Sequence, residues 1–374
     1  MPARKRPLWR LPLFLCAALS LLAGICAGLA RLGWGGAALG YLGDVAPWHG
    51  PLMVSAFFGS VIALERAVAL GRGWSYGAPA LSAVGGVLLA ATGPQDIAVI
   101  LMLAGSLIFL AAAVLIWRKQ SALYTLVLAL GAVCWPLGLA AWMLTGAVAA
   151  AVPLWVCFLV LTIAGERLEL SRFLPPSRWK SPSAAVILTG LLAGAIVSGL
   201  GGEAWIFGLS LVALAGWMVR HDVARRSIRQ TGLTRYMAVC LLSGYVWLGM
   251  AGALILTHGL PGGGVIYDAA LHGLFVGFVF AMVFGHAPVI LPSVLRFAVP
   301  FHWGFYPPLL LLHLSLVLRW AGDLSGNDVW RAWGGLGNGA AIILFLATMV
   351  ATVRHGLKAE RIRASRLDGR ARLG

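Results

Sequence analysis

The stretch 244–291 reads Gly244-Tyr-Val-Trp-Leu248, then an apolar helix end and a glycine-rich turn at 262–264. It continues Asp268-Ala-Ala-Leu-His272-Gly-Leu-Phe-Val-Gly277 and closes on Gly285-His286-Ala-Pro288. From position 265 onward the run is apolar and long enough to cross a hydrocarbon core of about 30 Å, which makes it a transmembrane helix. It carries two histidines, fourteen residues apart. At about 100° per residue, fourteen steps fall roughly 40° short of four turns, so a regular helix sets both imidazoles on one side, about 21 Å apart along the axis. One face then offers a nitrogen ligand near each membrane surface. Gly273 and Gly277 form a small-residue pair beside His272 that lets another helix, or a flat macrocycle, come close to the backbone. Plain helix packing accounts for the same two glycines.

Composition extends that reading to the whole chain. Of 374 residues 60% are hydrophobic and 11% charged, and the mean hydropathy is +0.91. Soluble domains average roughly a quarter charged residues, so this is a membrane protein. A net charge of +16 invites a nucleic-acid reading, but the basic residues sit in short connections between apolar runs, with no basic face interleaved with aromatics. Cys16, Cys26, Cys134, Cys157 and Cys240 all fall inside apolar runs without Cys-x-x-Cys spacing, so they read as small buried apolar residues.

Twelve apolar runs are long enough, or nearly so, to span a bilayer: 11–30, 47–70, 76–92, 97–117, 123–144, 153–170, 184–200, 204–219, 236–256, 265–290, 305–318 and 332–353. The opening Met1-Pro-Ala-Arg-Lys-Arg6 before the first run also fits a signal peptide cleaved after Ala30, although the run is longer than the usual 7–15-residue signal core. With the N-terminus inside, alternate connections place all Lys and Arg on the cytoplasmic side except Arg31, Arg319 and Arg331. The positive-inside rule therefore supports twelve spans with both ends cytoplasmic and a basic tail over 354–374. A weak repeat runs through the chain: the second and sixth runs end on Glu65-Arg66 and Glu166-Arg167, each followed by a Trp (Trp74, Trp179) and a Pro (Pro79, Pro182), while the second and tenth begin His49-Gly50 and His272-Gly273. The expectation is an all-α, polytopic membrane protein of about twelve helices in one integral domain, built as three similar four-helix units.

The chain enters the membrane from outside at both the second and tenth runs, so His49 and His272 lie at similar depth. Intramembrane histidines are functional candidates by default. Two at matched depth, each followed by Gly, suit bis-imidazole haem ligation, with one nitrogen on each side of a porphyrin; a hydrogen-bonded interhelical pair is the plainer account. His313, mid-run, is a further ligand or proton-transfer candidate or interhelical packing glue. His286 is a weaker metal candidate that could equally pair with a neighbour. His258 is read as outer loop, and His221, His302 and His355 as cytoplasmic surface. Carboxylates are almost absent from the runs, and Glu65 and Glu166, each beside an Arg, read as anchors of the inner rim. That counts against an ion-coupled transporter or proton pump. No Walker loop or Rossmann fingerprint is present.

The run Gly244-Tyr-Val-Trp-Leu248, the later Ala270-Leu-His272-Gly-Leu-Phe-Val-Gly277 and the closing Gly285-His286 resemble the carboxy-terminal signature of the NnrS family of twelve-span membrane proteins. His49-Gly-Pro-Leu-Met53-Val-Ser-Ala-Phe57-Phe-Gly59-Ser-Val-Ile62-Ala63 is similar, without gaps, to the family's His-x-His-Glu-Met-Leu-Phe-Gly-Phe-x-Gly-x-x-Ile-Ala helix. The resemblance covers about a quarter of the chain in motif and the rest in helix order. It implies haem and copper, a link to nitric oxide metabolism in bacteria, and a helix plan like that of the haem-copper oxidase core subunit, whose second and tenth helices ligate low-spin haem. His49 and His272 then correspond to the haem ligands. Where the family has a second His and a Glu this chain has Pro51 and Leu52, and Ala287-Pro288 stands where Thr-Gly-Arg is usual; both departures count against copper.

The resulting expectation is a b-type haem protein of the bacterial inner membrane with His49 and His272 on the iron. Arg31, Arg319 and Arg331 are the outer cations available to propionates, unless they serve as exposed interfacial anchors. The role expected is redox sensing, nitric-oxide-related chemistry or electron transfer. A cofactor-free permease or assembly factor with structural histidines is the alternative of another class.

Overall fold

The computed structural model describes residues 7–35, 44–175, 177–297 and 299–371, with side chains up to Lys358. Arg4, Lys5 and Arg6, the basic residues before the first apolar run, lie outside the described residues, as do residues 372–374 of the tail. The described residues form helices joined by short turns, without a strand. In chain order the long helices are α1 (Leu11–Arg31), α2 (Ala46–Leu70), α3 (Gly77–Thr92), α4 (Asp96–Lys119), α5 (Leu123–Thr145), α6 (Val148–Ser171), α7 (Lys180–Gly199), α8 (Trp205–His221), α9 (Gly232–His258), α10 (Val265–Leu295), α11 (Tyr306–Ser325) and α12 (Asp328–Ala371). Among the described residues, ten helical stretches, which take in all of these but α8 and α11 and reach Lys358 in α12, are long and apolar enough to cross a membrane. The protein is thus an all-helical, multi-pass membrane protein.

Each helix overlaps one of the apolar runs, and the ends differ for local reasons. Gly71, Gly146 and Gly326 take left-handed conformations and stop α2, α5 and α11, as a glycine just past a helix end does readily. The eleventh run continues past position 318 to Ser325, which brings Asp323 inside a helix. His258 is the last residue of α9 and not a loop residue. The backbone of α12 stays helical through Ala371, so the basic tail begins as a continuation of the last helix.

Sequence neighbours pack as antiparallel pairs, most extensively α5 with α6, α11 with α12 and α8 with α9. Trp135 of α5 stacks on Phe158 of α6 with ring centres 5.1 Å apart, both fully buried. The first helix packs against α2, α3 and also α12, so the two ends of the described chain meet. Between the spans hydrocarbon gives little hydrophobic drive, and close contact of this kind supplies dispersion instead.

The main departure from the regular-helix expectation is in α2 and α10. Both pass into a wider π-helical segment just after their histidine: Leu52–Phe58 following His49, and Gly273–Phe280 following His272. A π turn holds more residues per turn than an α turn, so the fourteen-residue phase between His272 and His286 does not follow the 100° rule. Phe57 and Phe58 of the first segment meet Phe280 of the second, with ring centres 6.2 and 5.1 Å apart. The two helices touch there, below the histidines.

Candidate functional site: a cavity between two histidines

His49 stands in the first turn of α2 and His272 at the end of the first α-helical stretch of α10. Their rings lie 6.2 Å apart, centre to centre, and within 11° of parallel. The Nδ1 of His49 is 2.7 Å from the carbonyl of Gly24 in α1. The Nδ1 of His272 is 2.8 Å from the carbonyl of Asp268, one turn earlier in its own helix. A carbonyl only accepts, so each Nδ1 carries the proton and donates it. Each Nε2 therefore keeps its lone pair, as in a metal-ready neutral imidazole. Among the described residues no hydrogen bond occupies either Nε2.

Both rings line a cavity of about 260 Å³ whose walls come from α1, α2, α6, α10, α11 and α12. Phe58 and Phe280 lie at its π-helical end. Gly28 of α1 faces the His49 ring, and a methyl group there would sit 2.9 Å from it. A side chain at this position would occupy the place of the imidazole.

Arg31, Arg319 and Arg331, the three basic residues set apart by the charge split, all line this cavity. They do not share one environment. Arg31 is exposed at the end of α1. Arg319 is only 5% exposed, contrary to the expectation of surface anchors. Its guanidinium donates to the Asp268 carboxylate at 2.6 Å, while Arg331 lies 3.5 Å from Asp268 and 3.0 Å from the buried Asp323. Arg319 also approaches Asp323 at 4.0 Å. Two carboxylates and two guanidiniums thus offset one another at the helix ends, which is how buried charge is tolerated. The remaining Asp268 oxygen is 3.4 Å from His272 Nδ1.

The other histidines are not brought here. His313 accepts from Trp247 Nε1 at 3.0 Å through Nδ1, which leaves its Nε2–H to donate to Ser243 Oγ at 2.9 Å. Both nitrogens are used between α9 and α11, and neither offers a metal a lone pair. His286 gives its Nδ1–H to the Met282 carbonyl at 2.6 Å and its Nε2 lone pair to Arg167 at 2.9 Å. Arg167 is buried and lies 3.9 Å from Asp222, which also accepts from Tyr245 at 2.9 Å. This second polar cluster ties α6, α9 and α10 to the turn after α8. Glu166 pairs with Arg66 at 3.5 Å, linking the Glu-Arg ends of α2 and α6. Among the described residues no three of His, Cys, Asp and Glu group as ligands for a bare metal ion.

A family model described as a domain of unknown function, DUF8744, matches residues 10–354. The chain belongs to that family. The DUF8744 match takes in both histidines, the cavity and all three arginines, so the site lies within the family's shared domain. No curated protein matches the sequence.

Asp268 and Asp323 join the site although neither was among the residues expected there. Asp268 had a usable signal: it stands four residues before His272, on the same helix face. Asp323 had none, because it follows the apolar run and only the packing of α11 on α12 buries it.

Proposed function

We propose that the protein is an NnrS-like haem protein of the bacterial inner membrane, in which His49 and His272 hold one b-type haem between α2 and α10. The observation that carries this reading is the pair of near-parallel imidazoles 6.2 Å apart, each with its proton fixed on Nδ1. An iron bound by two imidazole nitrogens at about 2 Å each, with about 1 Å from nitrogen to ring centre, needs ring centres roughly 6 Å apart. Two ligands without a third suit a metal that arrives in a macrocycle and needs only axial donors. They suit a bare ion poorly. The cavity also supplies cationic residues for carboxylates: Arg31 without an ion pair among the described residues, and Arg319 and Arg331 sharing theirs with Asp268 and Asp323.

When bound, the haem would supply one-electron redox chemistry, used in electron transfer, redox sensing or a reaction linked to nitric oxide metabolism. The protein's part is to hold the imidazoles in one tautomer and to seal the site from the bilayer with α1 and α12. Copper is not part of this reading, because Pro51 and Leu52 put two apolar side chains where the family pattern has His and Glu.

The reading includes twelve spans in three four-helix units, with both ends cytoplasmic. α8 has 17 residues and α11 has 20, lengths of about 26 and 30 Å at 1.5 Å per residue, near the hydrocarbon thickness. The charges of α11 are neutralised in the Asp268–Arg319–Asp323–Arg331 network, which lowers the cost of burying them.

The deciding measurement is an absorption spectrum of the full chain purified after expression with added haem precursor. A Soret band with the low-spin pattern of two axial imidazoles is expected. A folded protein without that band removes the haem reading. It then favours a cofactor-free permease or assembly factor whose histidines serve the hydrogen bonds already described.

A further inference from the structure

The two histidines are held in different ways. His272 donates to a carbonyl in its own helix, and the Asp268 carboxylate stands 3.4 Å from the same nitrogen. That carboxylate is fixed by Arg319 at 2.6 Å and Arg331 at 3.5 Å, and both arginines reach Asp323. The carboxylate beside His272 is thus held by a charge network spanning α10, α11 and α12. His49 has one neutral hydrogen bond, to the Gly24 carbonyl of a neighbouring helix. It also sits at a helix start, directly after the 3-10 turn Ala46–Trp48. Both rings donate to a neutral backbone carbonyl, but only His272 also has a carboxylate beside its Nδ1–H, and such a second partner orients the ring and raises the basicity of its other nitrogen, so His272 is the better held ligand.

Resting on the haem reading above, we infer that the site is built for ligand exchange on one side only: His49 yields its position to a neutral diatomic ligand, and His272 stays bound. With haem bound, His49 Nε2 would give up its place on the iron to a lone pair of the incoming molecule, without electron transfer, and would leave as a neutral imidazole. The lining next to His49 favours a small uncharged molecule. Gly28, Gly50, Met53, Val54 and Val148 carry no charge, Arg31 lies exposed at the mouth, and the Arg319 and Asp268 charges in the same lining are engaged with each other.

Carbon monoxide is the probe, added to the reduced, haem-loaded full chain, with the C–O stretch read by infrared spectroscopy. The stretch reports the ligand on the opposite side of the iron. The wild type is expected to bind carbon monoxide, and the His49→Ala complex to give the same stretch, since His49 has already left in the wild-type complex. His272→Ala is expected to give a different one. Asp268→Asn shifts the stretch, because Asp268 stands beside the retained ligand. Gly28→Ala raises the association rate severalfold by pressing on the His49 ring and leaves the stretch unchanged.

The inference is overturned if haem-loaded wild type binds no carbon monoxide, or if His272→Ala and not His49→Ala reproduces the wild-type stretch. Should His49→Ala lose its haem, Asp268→Asn decides alone: a shifted stretch supports exchange at His49 and an unshifted one overturns it. A wild type without a Soret band fails at the earlier step. That outcome overturns the haem reading together with this inference, and the missing band tells the two failures apart.

Discussion

At the residue scale, what separates one histidine from another is the partner of each nitrogen. His49 and His272 spend Nδ1 on a carbonyl and keep Nε2 free, whereas His313 and His286 spend both nitrogens on neighbours. Under the proposed haem reading, His49→Ala and His272→Ala are therefore each expected to turn a low-spin spectrum high-spin or abolish haem retention. His221→Ala and His355→Ala, outside the cavity, leave the spectrum unchanged. His313→Ala also leaves it unchanged but unpairs the Trp247 indole N–H and removes the bond that Ser243 accepts, at a cost of about 1–2 kcal/mol. It lowers the thermal midpoint in detergent without moving the Soret band. Elemental analysis gives a second check: with Pro51 and Leu52 in the second helix, little or no copper is expected even when copper is supplied. About one copper per chain, lost in His49→Ala, would sink that view of the apolar pair. The candidates His49 and His272 were legible as residues because each combines a rare intramembrane imidazole with a following glycine. Asp268 was legible in principle by its spacing. The loss of His313 and His286 as ligands was not legible, because Trp247, Ser243 and Arg167 come from other helices.

At the element scale, π-helical segments in α2 and α10 follow each histidine and bring Phe57, Phe58 and Phe280 together. Hydropathy cannot show such a segment, since it changes turn width and not composition. Close approach in α10 depends on Gly277, where an added methyl would overlap the Trp247 ring. Gly277→Ala is expected to cost about 1–3 kcal/mol by overpacking, read as a lower thermal midpoint. The Arg167–Asp222 cluster is the stronger tie between helices. Asp222→Ala leaves Arg167 buried without its carboxylate and Tyr245 without its acceptor, an expected loss of about 3 kcal/mol. Glu166→Gln, at the partly exposed pair with Arg66, is expected to change stability by less than about 1 kcal/mol. Equal effects of the two changes on thermal unfolding would show that burial is not what makes the Arg167–Asp222 cluster matter.

At the scale of the whole molecule, the proposed twelve-span arrangement makes a simple prediction. Reporter fusions at Gln95 and Gly201 are expected outside, and fusions at Arg118, at Arg226 and after Lys358 inside. A fusion after Lys358 found outside would remove one span and break the charge split. The sequence by itself determined the class of protein: 60% hydrophobic residues, apolar runs of helix length and basic connections leave a helical bundle in a membrane. Those are local properties, fixed by composition and by how far a helix rises per residue. Only the tertiary structure decided what the helices bring together. It set α1 beside α2, so that the Gly24 carbonyl fixes His49, and brought α11 and α12 onto α10, so that Arg319 and Arg331 meet Asp268. Each of these contacts joins residues far apart in the chain, or depends on a helix phase altered by a π turn. Side-chain spacing along one helix carries no information about which other helix lies against it.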